Sequence, residues 1–346
     1  MINILVTGGA GFIGKSIVKE LLDPKSPIEV SMIRIYDLND YQEIEDKRIE
    51  NVIGDIRDSE KLTKACKNID LVIHSAAIVD WGTKSDEEIL SVNFEGTKNI
   101  IEACRRQNVK FLVFTSSLDA VFSGVPLVNI DESLPYPETH SNSYCRSKYL
   151  SEKLIIDCSK NGMKACIIRP ADVYGEGDPY HIGSLLKMAK GGFYIRLGNG
   201  KTKCQHVYVG NIAYAHVLAA HTLLSDKDKV NGNAYFITDG TGSNFFSYYD
   251  RIIEGAGYKI WPKNLWLPRR FAMLLGILSE FVAMIASPIK RYTPKMSRFA
   301  VIYTCTDFTF SAKKAEKDFG FIPKYSIEEA FEKTVQYYRK EKEGTL

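Results

Sequence analysis

What the chain lacks narrows it first. Its seven cysteines (Cys66, Cys104, Cys145, Cys158, Cys166, Cys204 and Cys305) form no C-x-x-C pair and are odd in number. A zinc ribbon or disulfide framework is therefore not expected, and free thiols in a reducing compartment are. No His/Asp/Glu cluster has metal-ligand spacing, so no metal is expected. Neither sign of charge dominates: 45 Lys+Arg against 42 Asp+Glu leave a formal net charge of +3. Without a basic stripe interleaved with aromatics, nucleic-acid binding is not expected. No internal repeat or low-complexity tract is present. No signal-type segment precedes the apolar run that starts at Ile2, so a cytoplasmic location is expected.

What is present begins with size. At 346 residues, 45% of them hydrophobic and 25% charged, the chain can build one large α/β domain or a nucleotide domain with a substrate lobe. Strand-like runs at 2–6, 29–36, 51–54, 71–74, 111–115 and 165–169 alternate with helical patterns at 12–22, 87–107 and 144–160. Strands separated by helices predict a doubly wound parallel sheet with helices on both faces. The division expected is a dinucleotide domain over 1–170 and a smaller substrate lobe over 171–346, some segments of which return to the sheet. Beyond Pro170, Gly175, Gly177, Gly191, Gly192, Gly198 and Gly200 break the pattern into loops and short elements.

The strongest motif is Gly8-Gly9-Ala10-Gly11-Phe12-Ile13-Gly14, set between the first strand and the first helix. Gly8 suits the tight turn, Gly11 the approach of a pyrophosphate, and Gly14 the packing of helix on strand. The helix N-terminus there offers free N–H groups to a diphosphate. Asp37 ends the second strand, where an acid accepts from adenosine ribose hydroxyls and repels a 2′-phosphate, favouring NAD over NADP. Arg34 and Lys47 are the basic residues that weaken that preference. Asp55 and Ile56, after the third strand, are candidates to hold and pack the adenine.

Tyr144 and Lys148 stand four apart, so they share one helical face. A nearby ammonium favours phenolate, and such a pair can take the proton of an alcohol whose hydride leaves for nicotinamide. Ser117, rather than its competitor Ser116, is expected to donate to the substrate oxygen. His74 reads as structural, Asn93 as a clamp on the sheet edge or a water, and a catalytic role for Cys145 is not expected. The run 271–289, between Arg269-Arg270 and Lys290-Arg291, is apolar except for Glu280 at its middle. A charge there costs about 2.5–3.5 kcal/mol in a spanning helix. A pocket cover or an interfacial helix is expected, with a core helix or a true span as alternatives.

Together these residues resemble an extended short-chain dehydrogenase/reductase. Within it, the chain is similar to the 3β-hydroxysteroid dehydrogenase branch, and most of all to sterol-4α-carboxylate 3-dehydrogenases. The stretches that carry the likeness are 74–82 (HSAAIVDWG), 169–178 (RPADVYGEGD), 198–211 (GNGKTKCQHVYVGN) and the part from Trp266 to Tyr338. The resemblance implies oxidation of a 3β-hydroxyl by NAD, with decarboxylation where a carboxylate stands β to the new ketone. It implies Tyr144 as base, Ser117 as hydroxyl orienter and Lys148 as ribose anchor. Phe12, Ile13, Ala76, Pro170 and Val173 then join Gly8, Gly11, Gly14, Asp37, Asp55 and Ile56 around the cofactor. It also implies a small hydrophobic substrate, a homodimer through the helices starting near Glu87 and Tyr144, and peripheral membrane contact through 271–289. Two departures stand out: Asp119 near the site, where an acid disfavours an anionic substrate, and Trp81 in the substrate loop. Three other functions share these motifs. They are a nucleotide-sugar epimerase, dehydratase or reductase, a reductase of 2-alkyl-3-oxo acids, and a non-catalytic scaffold. A nucleotide-sugar enzyme would need a cation for a second diphosphate, which the region from Gly191 to Arg196 could supply.

Overall fold

The alternation of strands and helices closes into one parallel sheet of seven strands in the computed structural model, which describes residues 1–286 and 296–345. The strands are β1 (Ile2–Thr7), β2 (Val30–Asp37), β3 (Ile49–Ile53), β4 (Leu71–His74), β5 (Phe111–Thr115), β6 (Lys164–Pro170) and β7 (Ala234–Ile237). Their spatial order is β7-β6-β5-β4-β1-β2-β3, all neighbours parallel. The order reverses between β1 and β4, and the crevice at their carboxyl ends is where such sheets bind ligands. Alternate side chains of β1 feed two cores: Ile4 and Val6 pack on one face of the sheet, Leu5 on the other. Burial on both faces explains why these strands read as continuous apolar runs.

Among the helices are α1 (Phe12–Leu22), α2 (Gly96–Arg106), α3 (Ser143–Lys160), α4 (Val209–Ser225) and α5 (Arg269–Ala286). β7 comes from the C-terminal half and extends the sheet beside β6, a strand the periodicity did not reveal. The stretch expected as one helix over 87–107 is broken. A short helix over Asp86–Leu90 widens into a π turn at Ser91–Glu95 before α2 begins. Asn93 sits in that turn and clamps the Ile78 peptide, accepting from its N–H at 2.7 Å and donating to its carbonyl at 2.9 Å. Such widened turns recur at functional sites.

α5 corrects the expectation of a pocket cover. Only the small residues Ala272, Gly276 and Ala283 are buried on it, and Gly276 lies against the backbone of Ser297 and Arg298. Phe271 and Met284, each 64% exposed, mark its free apolar face, with Leu274, Leu278, Phe281 and Ile285 beside them. None of its residues lines the cleft described below. Glu280 is held by Arg298, which donates to it from both the backbone N–H (2.7 Å) and Nε (2.6 Å). Residues 287–289 of the expected segment, and Lys290-Arg291 after it, lie outside the described residues. Among the described residues no helix is long and apolar enough to cross a membrane.

Candidate active site

A cleft of about 510 Å³ opens along the carboxyl ends of β1, β2, β4, β5 and β6. Gly8, Gly11, Phe12, Ile13, Gly14, Asp37, Asp55, Ile56, Ala76, Ser117, Tyr144, Lys148, Pro170 and Val173 all line it. The set expected from sequence thus meets in one continuous space.

The glycine turn forms one end. Gly8 has φ +71°, and a Cβ there would stand 2.6 Å from the Ala76 nitrogen. A Cβ on Gly14 would fall 2.0 Å from the Gly8 carbonyl oxygen, so α1 starts against the turn only because this residue is glycine. Gly11 is the N-cap of α1, and no side chain caps that end. The first-turn N–H groups are left for a ligand. Asp37 accepts from the N–H groups of Ala10 (3.1 Å) and Asn39 (2.9 Å), which fix its carboxylate at the strand tip. Arg34 is withdrawn from it: its guanidinium holds Glu50 at 2.8 Å and the carbonyls of Ala65 and Lys67. Asp55 is paired with Arg57 at 2.6 Å, and that hydrogen-bonded partner holds its carboxyl below the ordinary value.

The middle of the cleft holds Tyr144 and Lys148, both buried on one face of α3. Lys148 Nζ donates to the Thr115 carbonyl at 2.9 Å, which places the ammonium 5.9 Å from the Tyr144 ring. Burial lowers its pKa to about 8, with Glu152 and Asp119 working the other way. The expected phenolate does not follow from that ammonium. Burial and the Asp119 charge push Tyr144 well above its ordinary value, and its interaction with Ser117 works the other way. Desolvation outweighs attraction at this distance.

Ser117 caps the turn after β5. Its hydroxyl donates to Asp119 Oδ2 at 2.7 Å, and its oxygen accepts the Asp119 N–H at 3.2 Å. Ser116 also lines the cleft, and its buried hydroxyl has no partner. His74 lies outside the cleft between Thr7 (2.7 Å) and Thr97 (3.0 Å), and burial drops its pKa to about 3. Cys145 is buried, and burial pushes its thiol up, away from thiolate chemistry.

The far end is built from side chains that sequence reasoning did not join. Trp81 stands on a turn whose N–H groups at Gly82, Thr83 and Lys84 all bond to Asp80. Its indole meets the rings of Tyr303 (5.0 Å) and His181 (5.4 Å) edge-on. Asp172 accepts the hydroxyl of Tyr303, and its carboxyl lies 3.8 Å from His181 Nε2. Burial raises Asp119 to about 7 and Asp172 to about 6. Behind that wall Asp172, Cys204 and His206 bring a carboxylate oxygen, a thiol sulfur and an imidazole nitrogen within 4.8 Å of one another. Metal-ligand spacing among His, Asp and Glu did not join these three residues. Cys204 and His206 stand two apart in the chain, and Asp172 joins them from the strand Asp172–Tyr174, which pairs with His206–Tyr208. Arg196, the cation considered for a second diphosphate, is held by Asp250 at 2.6 Å and does not line the cleft.

One buried ion pair holds the middle of the cleft in place and was missed. Arg169 on β6 donates from Nε (2.9 Å) and Nη2 (2.7 Å) to Glu152 on α3, and Tyr136 donates to the same carboxylate at 2.6 Å. Glu152 follows Lys148 by one helical turn, so this bidentate pair sets the depth and rotation of α3. In sequence it reads as one more acidic residue on a solvated helix.

Residues 5–269 match the description of the 3-beta hydroxysteroid dehydrogenase/isomerase family. A mouse (Mus musculus) protein named sterol-4-alpha-carboxylate 3-dehydrogenase, decarboxylating, is 32% identical over 96% of this chain and 90% of its own length. The corresponding protein of Schizosaccharomyces pombe is 31% identical over 98% of both chains. Among solved structures, a dTDP-glucose 4,6-dehydratase double mutant from Streptomyces venezuelae with NAD bound superposes with a TM-score of 0.76. At 20% identity over 99% of this chain and 98% of that one, it speaks to the fold alone.

Proposed function

The chain belongs to the 3-beta hydroxysteroid dehydrogenase/isomerase family, and from that premise we propose that it oxidises the 3β-hydroxyl of a sterol- or steroid-like lipid with NAD. One observation carries the reading. A buried tyrosine and lysine on one helical face open into the same cleft as an uncapped helix N-terminus and an acid-tipped strand. The cleft fits the dinucleotide on its own chemistry. Gly14 leaves no room for a side chain, Gly11 leaves the N–H groups of α1 free, and Asp37 presents a fixed carboxylate where a 2′-phosphate would be repelled. Ser116 also lines that space, and its buried hydroxyl is unpartnered.

Bound NAD supplies the hydride acceptor. Tyr144 takes the hydroxyl proton, Ser117 holds the substrate oxygen, and Lys148 binds ribose hydroxyls. Where the substrate carries a carboxylate β to the new ketone, the carbonyl accepts the electron pair as carbon dioxide leaves. The withdrawal of Arg196 into its pair with Asp250 argues against a nucleotide-sugar substrate. The test is turnover of purified protein with NAD and a panel of 3β-hydroxysteroids with and without a 4-carboxylate, followed by nicotinamide absorbance. Tyr144→Phe is expected to lose about 10²–10⁴-fold in kcat while binding NADH normally. A wild-type protein inert to the whole panel, but stabilised by UDP- or GDP-sugars, overturns the reading.

The proposal extends to how a water-insoluble substrate reaches the cleft. α5 lies on a lipid surface through Phe271, Leu278 and Phe281, with Arg269 and Arg270 at headgroup level. Co-sedimentation with vesicles containing anionic lipid checks it, and Leu278→Glu/Phe281→Glu is expected to abolish binding. Failure of the wild type to sediment removes this part alone. A homodimer through the faces of α2 and α3 completes the proposal and is read by light scattering.

A further inference from the structure

We propose that Asp119 is the proton acceptor at the end of a Tyr144–Ser117–Asp119 relay, and that its charge decides whether Ser117 can donate to a substrate carbonyl. The proposal rests on the reading of Tyr144 as the group that takes the hydroxyl proton. Its basis is the direction of two hydrogen bonds. Ser117 gives its only hydrogen to Asp119 Oδ2 (2.7 Å) and uses one lone pair on the Asp119 N–H (3.2 Å). With Asp119 ionised, Ser117 has nothing left to donate to a substrate oxygen; it has one lone pair to accept with. Tyr144 lines the same cleft and interacts with Ser117 there, and the relay takes that remaining lone pair as the acceptor of the tyrosine proton. The arrangement suits a neutral tyrosine that accepts from the substrate alcohol and passes its own proton to Ser117.

The surroundings favour a neutral tyrosine. Tyr144 and Asp119 are both buried, and each disfavours charge on the other. The other charged and titratable groups facing Asp119 come from several elements. α3 presents Cys145, whose Sγ is 4.0 Å from Oδ1, and Lys148. Asp172 follows β6, His181 begins the helix His181–Lys190, and Tyr303 comes from the helix Arg298–Thr304. Lys148 and His181 favour the carboxylate, while burial and Asp172 favour the acid.

The step balances. The carbinol C–H bond breaks with its electron pair leaving as hydride to NAD⁺, and the C–O bond becomes a carbonyl. The alcohol proton goes to Tyr144 Oη as the Tyr144 proton goes to Ser117 Oγ and the Ser117 proton to Asp119 Oδ2. Each O–H bond broken is matched by one formed. Tyr144 and Ser117 end as they began, and Asp119 ends protonated. A protonated Asp119 then donates to Ser117, which frees the serine hydrogen to point at a carbonyl. Oxidation therefore needs the carboxylate and reduction the acid.

Asp119→Asn tests this, because the amide keeps the shape and still accepts from Ser117 but takes no proton. NADH affinity, read by fluorescence titration, is expected to stay within twofold. kcat for oxidation is expected to fall at least tenfold, and the rise of kcat through pH about 7 to disappear. An unchanged pH profile with kcat within twofold overturns the proposal. Ser117→Ala gives a second measurement that needs no substrate: an infrared titration of the Asp119 carboxyl in the cofactor-free protein. Loss of the Ser117 hydrogen bond, which lowers this pKa, is expected to move the midpoint to higher pH. An unmoved midpoint overturns the relay even if no steroid is turned over, whereas an inert wild type with a moved midpoint counts only against the steroid reading.

Discussion

The two ends of the cleft are built by opposite means. At the cofactor end the chain offers backbone: a glycine turn, an uncapped helix N-terminus and one acid at a strand tip, all within the first two strands. At the substrate end it offers side chains from widely separated segments, with Asp119, Asp172, His181, Trp81 and Tyr303 all lining one space. The first end recognises by leaving groups unsatisfied and by having no Cβ in the way. The second keeps its polar groups busy with one another, and burial moves their protonation toward neutral pH. A ligand at the first end needs only the right charge. One at the second must displace or join an existing hydrogen-bond network. Between them α3 carries Tyr144 and Lys148, so its placement governs both.

The largest test of that comparison removes the support common to both ends. Glu152→Gln leaves Arg169 buried without its carboxylate and is expected to destabilise the fold by about 3–5 kcal/mol, read by urea denaturation, with cofactor binding and turnover lost together. A loss of turnover with cofactor binding intact would mean the two ends do not share α3 as their frame.

A pH test isolates the substrate end. Asp119 has a folded pKa raised above its ordinary value of 3.8, to about 7. Between those values the folded state holds a proton the unfolded chain has released, so this group's contribution is full below about pH 4 and is lost as pH rises toward 7. Asp119→Asn is therefore expected to exceed the wild type at pH 8 by on the order of 2–3 kcal/mol. The gap should shrink at pH 4 in paired thermal melts. A gap that widens on acidification would show the carboxylate to be stabilised in the fold.

At the cofactor end, Gly14→Ala forces a methyl within 2.0 Å of the Gly8 carbonyl. Overpacking of that kind costs about 1–3 kcal/mol, and NADH affinity measured by fluorescence is expected to drop by at least tenfold. The infrared titration of Asp119 should stay where it was; if it moves, the two ends are coupled through more than α3. The smallest effect is at the rim: Asp37→Asn gives up charge-assisted hydrogen bonding worth about 1.5–3 kcal/mol at most. It is expected to weaken NAD several-fold and to narrow its advantage over NADP in competitive binding.

How much of this was legible follows the same divide. Gly8, Gly11, Gly14 and Asp37 were readable because their roles are set by neighbours along the chain. Tyr144 and Lys148 were readable because helical geometry places residues four apart on one face. The charge state of Tyr144 was not, since it depends on how deeply α3 sits and on Asp119 arriving beside it. Glu152 and Arg169 stand on a helix and a strand that only the fold brings together, and it buries them as a pair. α5 showed the same gap: its apolar length was visible, but its small residues face the protein and its large ones face outward.

By itself, then, the sequence determined the parallel sheet, the glycine turn, the acid at the tip of β2 and the tyrosine–lysine face. Those depend on local backbone geometry and on side-chain periods of two and 3.6 residues. Tertiary structure alone decided which carboxyls are buried, where the Ser117 hydrogen points and which side of α5 is free. Those are settled by desolvation and by partners that the folded chain brings from far away, and no spacing along the chain records either.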